Sequence, residues 1–278
     1  MTASPASRSY VWSDVKGTLP SLIAAFLTAL ALFALAGFQV TSHQAATRLL
    51  GRQGAALIEI DRWLPAHRDD LDLIARDRPE SVVALRDVPL NIVLPSTQVI
   101  DVDNRVLRAT IVRAMGERLY TEGTDAFRNR EGLPQKPGYD DPLRWSVSLL
   151  GESAHGFWKA ALAVIALALL ASIGGVLLKG ASPLTPLAIG AGFAAVMSLL
   201  VWMLTDAIHS SLSAPVDQEI VLALHDGAWI GLRNGLAVAV VMAGMHILLA
   251  SFSNRDRPWG SETWDLPDTE ADPDAPPV

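Results

Sequence analysis

The chain has 278 residues, half of them hydrophobic, with a formal net charge of -7 and no cysteine. So apolar a balance excludes an ordinary soluble protein, and an acidic surplus without a Lys/Arg cluster excludes neutralisation of a phosphate backbone, so no nucleic-acid partner is expected. Without cysteine there are no disulfides, thiolate metal sites, thiol nucleophiles or S-acylation.

Residues 1–17 are polar, carry Arg8 and Lys16, and are read as a cytoplasmic N-terminus. Residues 18–40 contain no charge and are read as transmembrane helix 1, a signal anchor. The apolar core from Leu19 to Phe38 is longer than the ~7–15 residues of a signal-peptide core, and Thr18 as a cap with Pro20 after it suits a helix start. Ala34-Leu35-Ala36 keeps a cleaved signal peptide open as the alternative.

Charged residues crowd the segment 41–155, the one candidate soluble domain, which is read as mostly helical and extracytoplasmic. Ala46, Leu50, Gln53, Leu57, Ile60 and Leu64 recur at alternating spacings of four and three, which predicts one stalk helix continuing out of the first span. Gly51 and Gly54 argue against a dimerising coiled coil there. Pro65 is expected to end this helix, with Asp69, Asp70 and Asp72 opening a short one to about Arg76. Val88, Leu90, Ile92 and Leu94 alternate with Pro89, Asn91, Val93 and Pro95, which allows one or two short extended segments and no large sheet. Asp103 is the expected N-cap of a second strong helix with the stripe Leu107, Ile111, Ala114, Met115 and Leu119. Residues 123–145, punctuated by Gly132, Pro134, Pro137, Gly138 and Pro142, read as a loop returning to the membrane.

An uncharged run from Ala160 to Leu178, bracketed by Lys159 and Lys179, places transmembrane helix 2 at 157–179. Helix 3 at 183–207 opens at Pro183 or Pro186, each preceded by a capping Ser182 or Thr185. The tight turn between helices 2 and 3 predicts that they are antiparallel neighbours. Residues 208–227 read as an extracytoplasmic loop, whose apolar patch of Val216, Ile220, Val221 and Leu224 lies in the interface or extends the next helix. Transmembrane helix 4 takes 228–252, and the proline-rich acidic residues 253–278 read as a disordered cytoplasmic tail in which Trp259, Trp264 and Leu266 form a candidate docking motif.

Small flanking segments carry Arg8, Lys16, Lys179, Arg255 and Arg257 on one side, whereas 207–229 carries no Lys or Arg outside the membrane run. The positive-inside rule then puts both termini in the cytoplasm and 41–155 outside, in a multi-pass cell-membrane protein.

Two constellations stand out within the spans. Gly231, Gly235, Ala239 and Ala243 place small residues at every fourth position, a strip that lets backbones approach where lipid supplies no hydrophobic drive. Its expected partners are Ala171 and Gly175 of span 2 or Gly190 and Ala194 of span 3. Arg233 and Asp206 read as level with each other near the outer surface, and with His209 and Asp226 form a candidate membrane polar cluster. His225 is a possible further member, while His246 sits alone among apolar neighbours.

Catalytic and metal signatures are weak. Gly151-Glu152-Ser153-Ala154-His155 has His where a nucleophile elbow needs glycine, and Asp101, Asp103 and Asn104 are followed by Arg105 at a calcium-ligand position. His67 with Asp69, Asp70 and Asp72 has the chemistry of a hard-cation site but equally that of an acidic first turn. No catalytic, cofactor-binding or metal residue is assigned. The reading is an all-α integral membrane protein with four transmembrane helices, acting as a non-enzymatic scaffold, assembly or sensing component through the lipid bilayer and a protein partner or homo-oligomer. A transporter or channel component is the alternative, and a membrane-embedded hydrolase the third.

Overall fold

A computed structural model describes residues 6–85, 87–127 and 141–255, and these are mostly helical. Among the described residues the eight α-helices are α1 (Ala6–Val40), α2 (His43–Leu57), α3 (Ile60–Asp77), α4 (Asn104–Glu122), α5 (Pro142–Leu150), α6 (Glu152–Leu178), α7 (Leu184–His209) and α8 (Pro215–Arg255). Strands β1 (Val82–Ala84) and β2 (Val93–Pro95) pair antiparallel, with Val83 opposite Leu94. Among the described residues four helices are long and apolar enough to cross a membrane: Thr18–Val40, Glu152–Leu178, Leu184–His209 and Pro215–Leu249.

The polar layer is built from α2 to α5 around one apolar core. Leu50, Leu107, Ile111, Met115 and Leu119 are fully buried, and Leu90, Ile92 and Leu94 bring the alternating segment into the same core. Burying each such side chain contributes about 1.5–3 kcal/mol. Two glycines set how closely the central pair packs: a Cβ on Gly51 would collide with the Val112 carbonyl, and one on Gly116 with the Thr47 carbonyl. Both residues weaken their helices locally and let α2 and α4 cross with backbones in contact. Asp103 caps α4 by accepting a hydrogen bond from the Arg105 N–H at 2.7 Å. Arg68 ties α3 to the chain entering α4, donating to Asp72 Oδ2 at 3.0 Å and to the Val102 carbonyl at 3.0 Å.

In the apolar layer α1 is the hub. It packs against α6, α7 and α8, whereas among the described residues α6 makes no extended contact with α7 or α8. Trp158 of α6 covers Gly37, Ser172 donates to the Pro20 carbonyl at 3.2 Å, and Gly190 of α7 sits on the Ala25 carbonyl. The expectation that the second and third spans are neighbours is therefore wrong. Lys179–Gly180 supports a tight turn, with Gly180 at φ 70°, but α1 fills the space between the two helices that the turn joins.

Several boundaries also differ. The proposed stalk is two helices, broken from α1 at Thr41–Ser42 and from each other at Ile58–Glu59, where Glu59 takes φ 47°. Its six stripe residues nonetheless all face the core, Leu57 partly and the rest fully. Pro65 does not end a helix but lies inside α3; it removes one hydrogen bond, and burial of Trp63, Leu64 and Leu71 on either side keeps the helix going. Thr18 is not a cap, because α1 already runs from Ala6 and through Pro20. Residues 142–145 of the expected loop begin helix α5, with Pro142 at its first turn and Asp141 capping the Leu143 N–H at 2.9 Å. Residues 215–227 are not a loop but the first turns of α8. The remainder of the expected 123–145 loop at 128–140, and the tail from 256 with Trp259, Trp264 and Leu266, lie outside the described residues.

Candidate functional site at the junction of the two layers

The place where polar and apolar layers meet gathers most of the polar side-chain contacts between them. At the end of α1 the Thr41 hydroxyl donates to the Gly37 carbonyl at 2.8 Å and lies 3.2 Å from His155 Nδ1. A hydroxyl has one proton, so the contact requires His155 to carry its proton on Nδ1 and to donate it to Thr41. The same ring stacks on Phe38 with centroids 4.6 Å apart, fixing the start of α6 against the end of α1. One turn further, His43 Nε2 meets Glu117 at 2.8 Å and packs edge-on against Tyr120.

Helix α8 makes the longest link. Its first turns stand in the polar layer, where Ala223 joins the domain core and Val216 packs against it. Arg52 of α2 pairs with Glu219 at 2.8 Å and reaches Asp226 at 3.9 Å. The same helix then runs down among the spans, where a Cβ on Gly227 would lie 3.4 Å from Val40 and one on Gly231 3.8 Å from Ala36.

That register allows depths to be compared. Phe38 of α1, Trp158 and Phe157 of α6, Trp202 of α7 and Trp229 of α8 fall within about 8 Å of one another along the bundle axis, judged from Trp158 on Gly37, Trp202 on His225 and Gly227 on Val40. Aromatic side chains collect at the level where hydrocarbon gives way to headgroups. This belt marks the domain-side boundary of the apolar layer.

Among the described residues no hydrogen bond or ion pair joins the four residues of the expected polar cluster. Asp226 pairs with Arg52 and lies 3.8 Å from His225 Nδ1, at the level of the belt. Asp206 sits near the end of α7, exposed, and His209 is the last residue of that helix. With Trp202 beside His225 and Ser198 beside Gly231, Asp206 is level with about residue 222 of α8, eleven residues or about 16 Å from Arg233. Asp206 and Arg233 are therefore not at matching depth, and among the described residues neither makes an ion pair within 4.0 Å. Arg233 points outward, while its neighbour Asn234 donates to Gln39 Oε1 at 2.8 Å.

Of the small-residue strip, Gly231 and Gly235 are buried against α7: a Cβ on Gly231 would lie 2.6 Å from Ser198 Oγ, and one on Gly235 2.9 Å from the Ala195 backbone N. Ala239 is half-buried and Ala243 exposed. Of the expected partners, Gly190 serves α1 instead, and Gly175 has no atom within 4 Å of where its Cβ would stand.

A cleft of about 790 Å³ lies between α2, α3, α4 and the start of α8, lined in part by Arg52, Glu59, Asp61, Arg62, Arg108 and Glu219. Its charges are mutually compensated. Arg108 grips Asp61 with two hydrogen bonds at 2.7 and 3.2 Å, Arg62 meets Glu59 at 2.7 Å, and Arg52 holds Glu219. The Arg108 hydrogen bonds hold the Asp61 carboxyl below its ordinary value, and Asp61 in turn raises the guanidinium. Tyr120 is pushed up by burial and by Glu152 and Glu117.

The weaker motifs serve structure. His67 stacks on Trp63 and donates from Nδ1 to the Trp63 carbonyl at 2.8 Å, Asp72 engages Arg68, and Asp101 pairs with Arg76 at 2.8 Å. His155 of the elbow-like run is committed to Thr41. Among the described residues no group of three or more His, Asp or Glu is placed to hold a metal ion. Comparison with protein-family models, curated proteins and solved structures finds no match to this chain. Sequence reading missed Thr41, Arg52, His155 and Glu219; the partners lie more than a hundred residues apart, and no local spacing announces them.

Proposed function

We propose that the chain is a non-enzymatic component of a membrane assembly, a scaffold, assembly or sensing subunit of the cell membrane that acts through a protein partner or a second copy of itself. Both termini face the cytoplasm and the polar domain stands outside. The observation that carries this reading is α8, one helix that contributes Ala223 to the domain core and Gly231 and Gly235 to the spans. A force or a partner acting on the domain is thereby transmitted to α1 and α7 without a flexible joint. Stitching by Arg52–Glu219 and Thr41–His155 supports the same coupling. The depth difference of about 16 Å between Arg233 and Asp206, with Asp226 engaged by Arg52, weighs against the shared polar site that a transporter reading would work through.

The orientation rests on the basic flanks Arg8, Lys16 and Lys179. Single cysteines at Ser81 and Ser213 should label with an impermeant reagent in spheroplasts, and one at Ser7 should not. Labelling of Ser7→Cys with the other two silent inverts the topology. Gentle cross-linking before extraction should recover a stoichiometric partner or a dimer. A monomer that instead conducts solutes in liposomes refutes the scaffold reading.

A further inference from the structure

Arg233 lies on the outward face of α8, in line with Trp229 and Leu236, which are 53% and 51% exposed. The packed face of the same helix carries Ala228, Gly231, Leu232 and Gly235. Charged residues inside spans normally face the bundle interior, where a partner meets them. This one faces lipid. Gly231 touches Ala36, so Arg233 is level with about Ala34, about 6 Å below Phe38 and the aromatic belt.

A second cation shares that level. Lys159 follows Trp158, which covers Gly37, so its depth is within a turn of that of Arg233; it too is exposed. Among the described residues neither cation has an acidic side chain within 4.0 Å. Of the acids nearest in depth among the described residues, Asp206 and Glu152 lie on the domain side of the belt, and Asp226, at its level, is engaged by Arg52. Two unpaired cations, Arg233 with the exposed ring of Trp229 one turn away, thus stand just inside the belt on helices that sit on different sides of α1.

We propose that Arg233, with Lys159 in a lesser role, binds the phosphate of anionic phospholipids in the leaflet next to the domain. An arginine at this depth bends its side chain towards the headgroups, and its planar fork fits two phosphate oxygens at once. Lys159 supplies a point charge without that fork. Because the described residues offer neither cation a counter-charge, a lipid with net negative charge is preferred over a zwitterionic one carrying the same phosphate. The girdle fixes the height of α8, and so of the domain mounted on it, relative to the bilayer. This inference rests only on the membrane placement of the four helices and not on a partner, which cross-linking reads separately.

The test is native mass spectrometry of the full chain extracted from vesicles of equal phosphatidylglycerol and phosphatidylcholine. Native protein should retain phosphatidylglycerol preferentially. Arg233→Gln should lower that retention about tenfold, the loss of one bidentate charged contact, and Lys159→Gln should lower it less. Arg105→Gln, on the exposed start of α4, should change nothing. If Arg233→Gln does not fold, Arg233→Lys carries the test, keeping the charge, losing the fork and retaining less lipid than native. Undiminished retention in the folded Arg233 variants overturns the proposal, as does equal retention of the two lipids by native protein. Displacement of the lipid by millimolar inorganic phosphate would show a free-anion site and overturn it as well.

Discussion

The polar layer and the apolar layer of this protein are held together by opposite kinds of residue. In the polar layer the fully buried side chains are large: Leu50, Leu107, Ile111, Met115 and Leu119. Among the spans most buried positions are small, Ala24, Ala191, Ala195, Gly190, Gly231 and Gly235 among them, with Leu32, Val176 and Leu232 as larger exceptions, while Phe26, Leu167 and Val240 are exposed at 63%, 69% and 69%. Water drives large apolar groups inward, so a water-facing domain hides them. Lipid is as apolar as leucine and offers no such drive, so spans associate where small residues let backbones touch. Gly51 and Gly116 show that the domain also uses close backbone approach, but there it brings a large-residue core together rather than substituting for one.

The same truncation in the two layers should break this contrast most sharply. Leu119→Ala should cost about 2–5 kcal/mol, because it empties a buried site, whereas Leu236→Ala, on the lipid-facing side of α8, should leave stability within about 0.5 kcal/mol of native. Thermal unfolding in detergent or nanodiscs reads both, and a comparable loss at Leu236 would show that α8 is not lipid-exposed there. Enlargement tests the other half of the comparison. Gly235→Leu drives a side chain into the Ala191–Ala195 backbone and should cost about 1–3 kcal/mol. Gly175→Leu, with open space where its Cβ would stand, should be tolerated. Equal effects would mean that α6 is covered on its outer face.

Electrostatic effects are smaller. Asp61 has its folded-state value depressed by Arg108, so the pair contributes stability that is present above the unfolded carboxylate value near 3.8 and is lost as pH falls through the lower folded value. Both side chains are well exposed, at 45% and 78%, so Arg108→Gln should cost below about 1 kcal/mol and flatten the acid limb of the stability profile only slightly. An unaltered acid limb would show that the pair is not formed in solution. Smallest of all is the coupling between Asp206 and Arg233. Standing about 16 Å apart on the register of α7 and α8, they should give additive losses to within about 0.5 kcal/mol in a double-mutant cycle. A larger coupling would restore the ion pair that their sequence positions invite.

Where water pays attention to a helix face, the sequence records it. The stripes of α2, α3 and α4 could be read because every third or fourth residue had to be apolar, and the capping by Asp103 because its side chain replaces a missing backbone partner. The breaks between those helices were not legible: Thr41–Ser42 and Glu59 carry no glycine or proline, and Pro65, which does look like a terminus, is outweighed by packing on both sides. Helix α5 was hidden in a stretch rich in glycine and proline, although Asp141 directly before Pro142 is a helix-start signal that reading missed. Neighbour order among the spans left almost no trace, since a helix apolar on every face does not reveal which face meets which partner. That is why α1 between α6 and α7 came only from the structure. Of the junction, the patch Val216, Ile220, Val221 and Leu224 was visible but fitted either an interfacial loop or an extension of α8, and Arg52 gave no hint of Glu219.

Everything proposed for function depends on the domain and the spans moving as one body through α8. The cysteine-free background permits the direct measurement, a spin-label distance between Ala109→Cys on α4 and Ala181→Cys in the turn between α6 and α7, taken in lipid nanodiscs. Rigid coupling predicts a single narrow distance distribution that broadens when Arg52→Ala and Thr41→Val remove the stitches beside α8 and α1. A broad or multiple distribution in the otherwise native protein would contradict it, because the domain would then swing on α1 and α8 rather than ride on them.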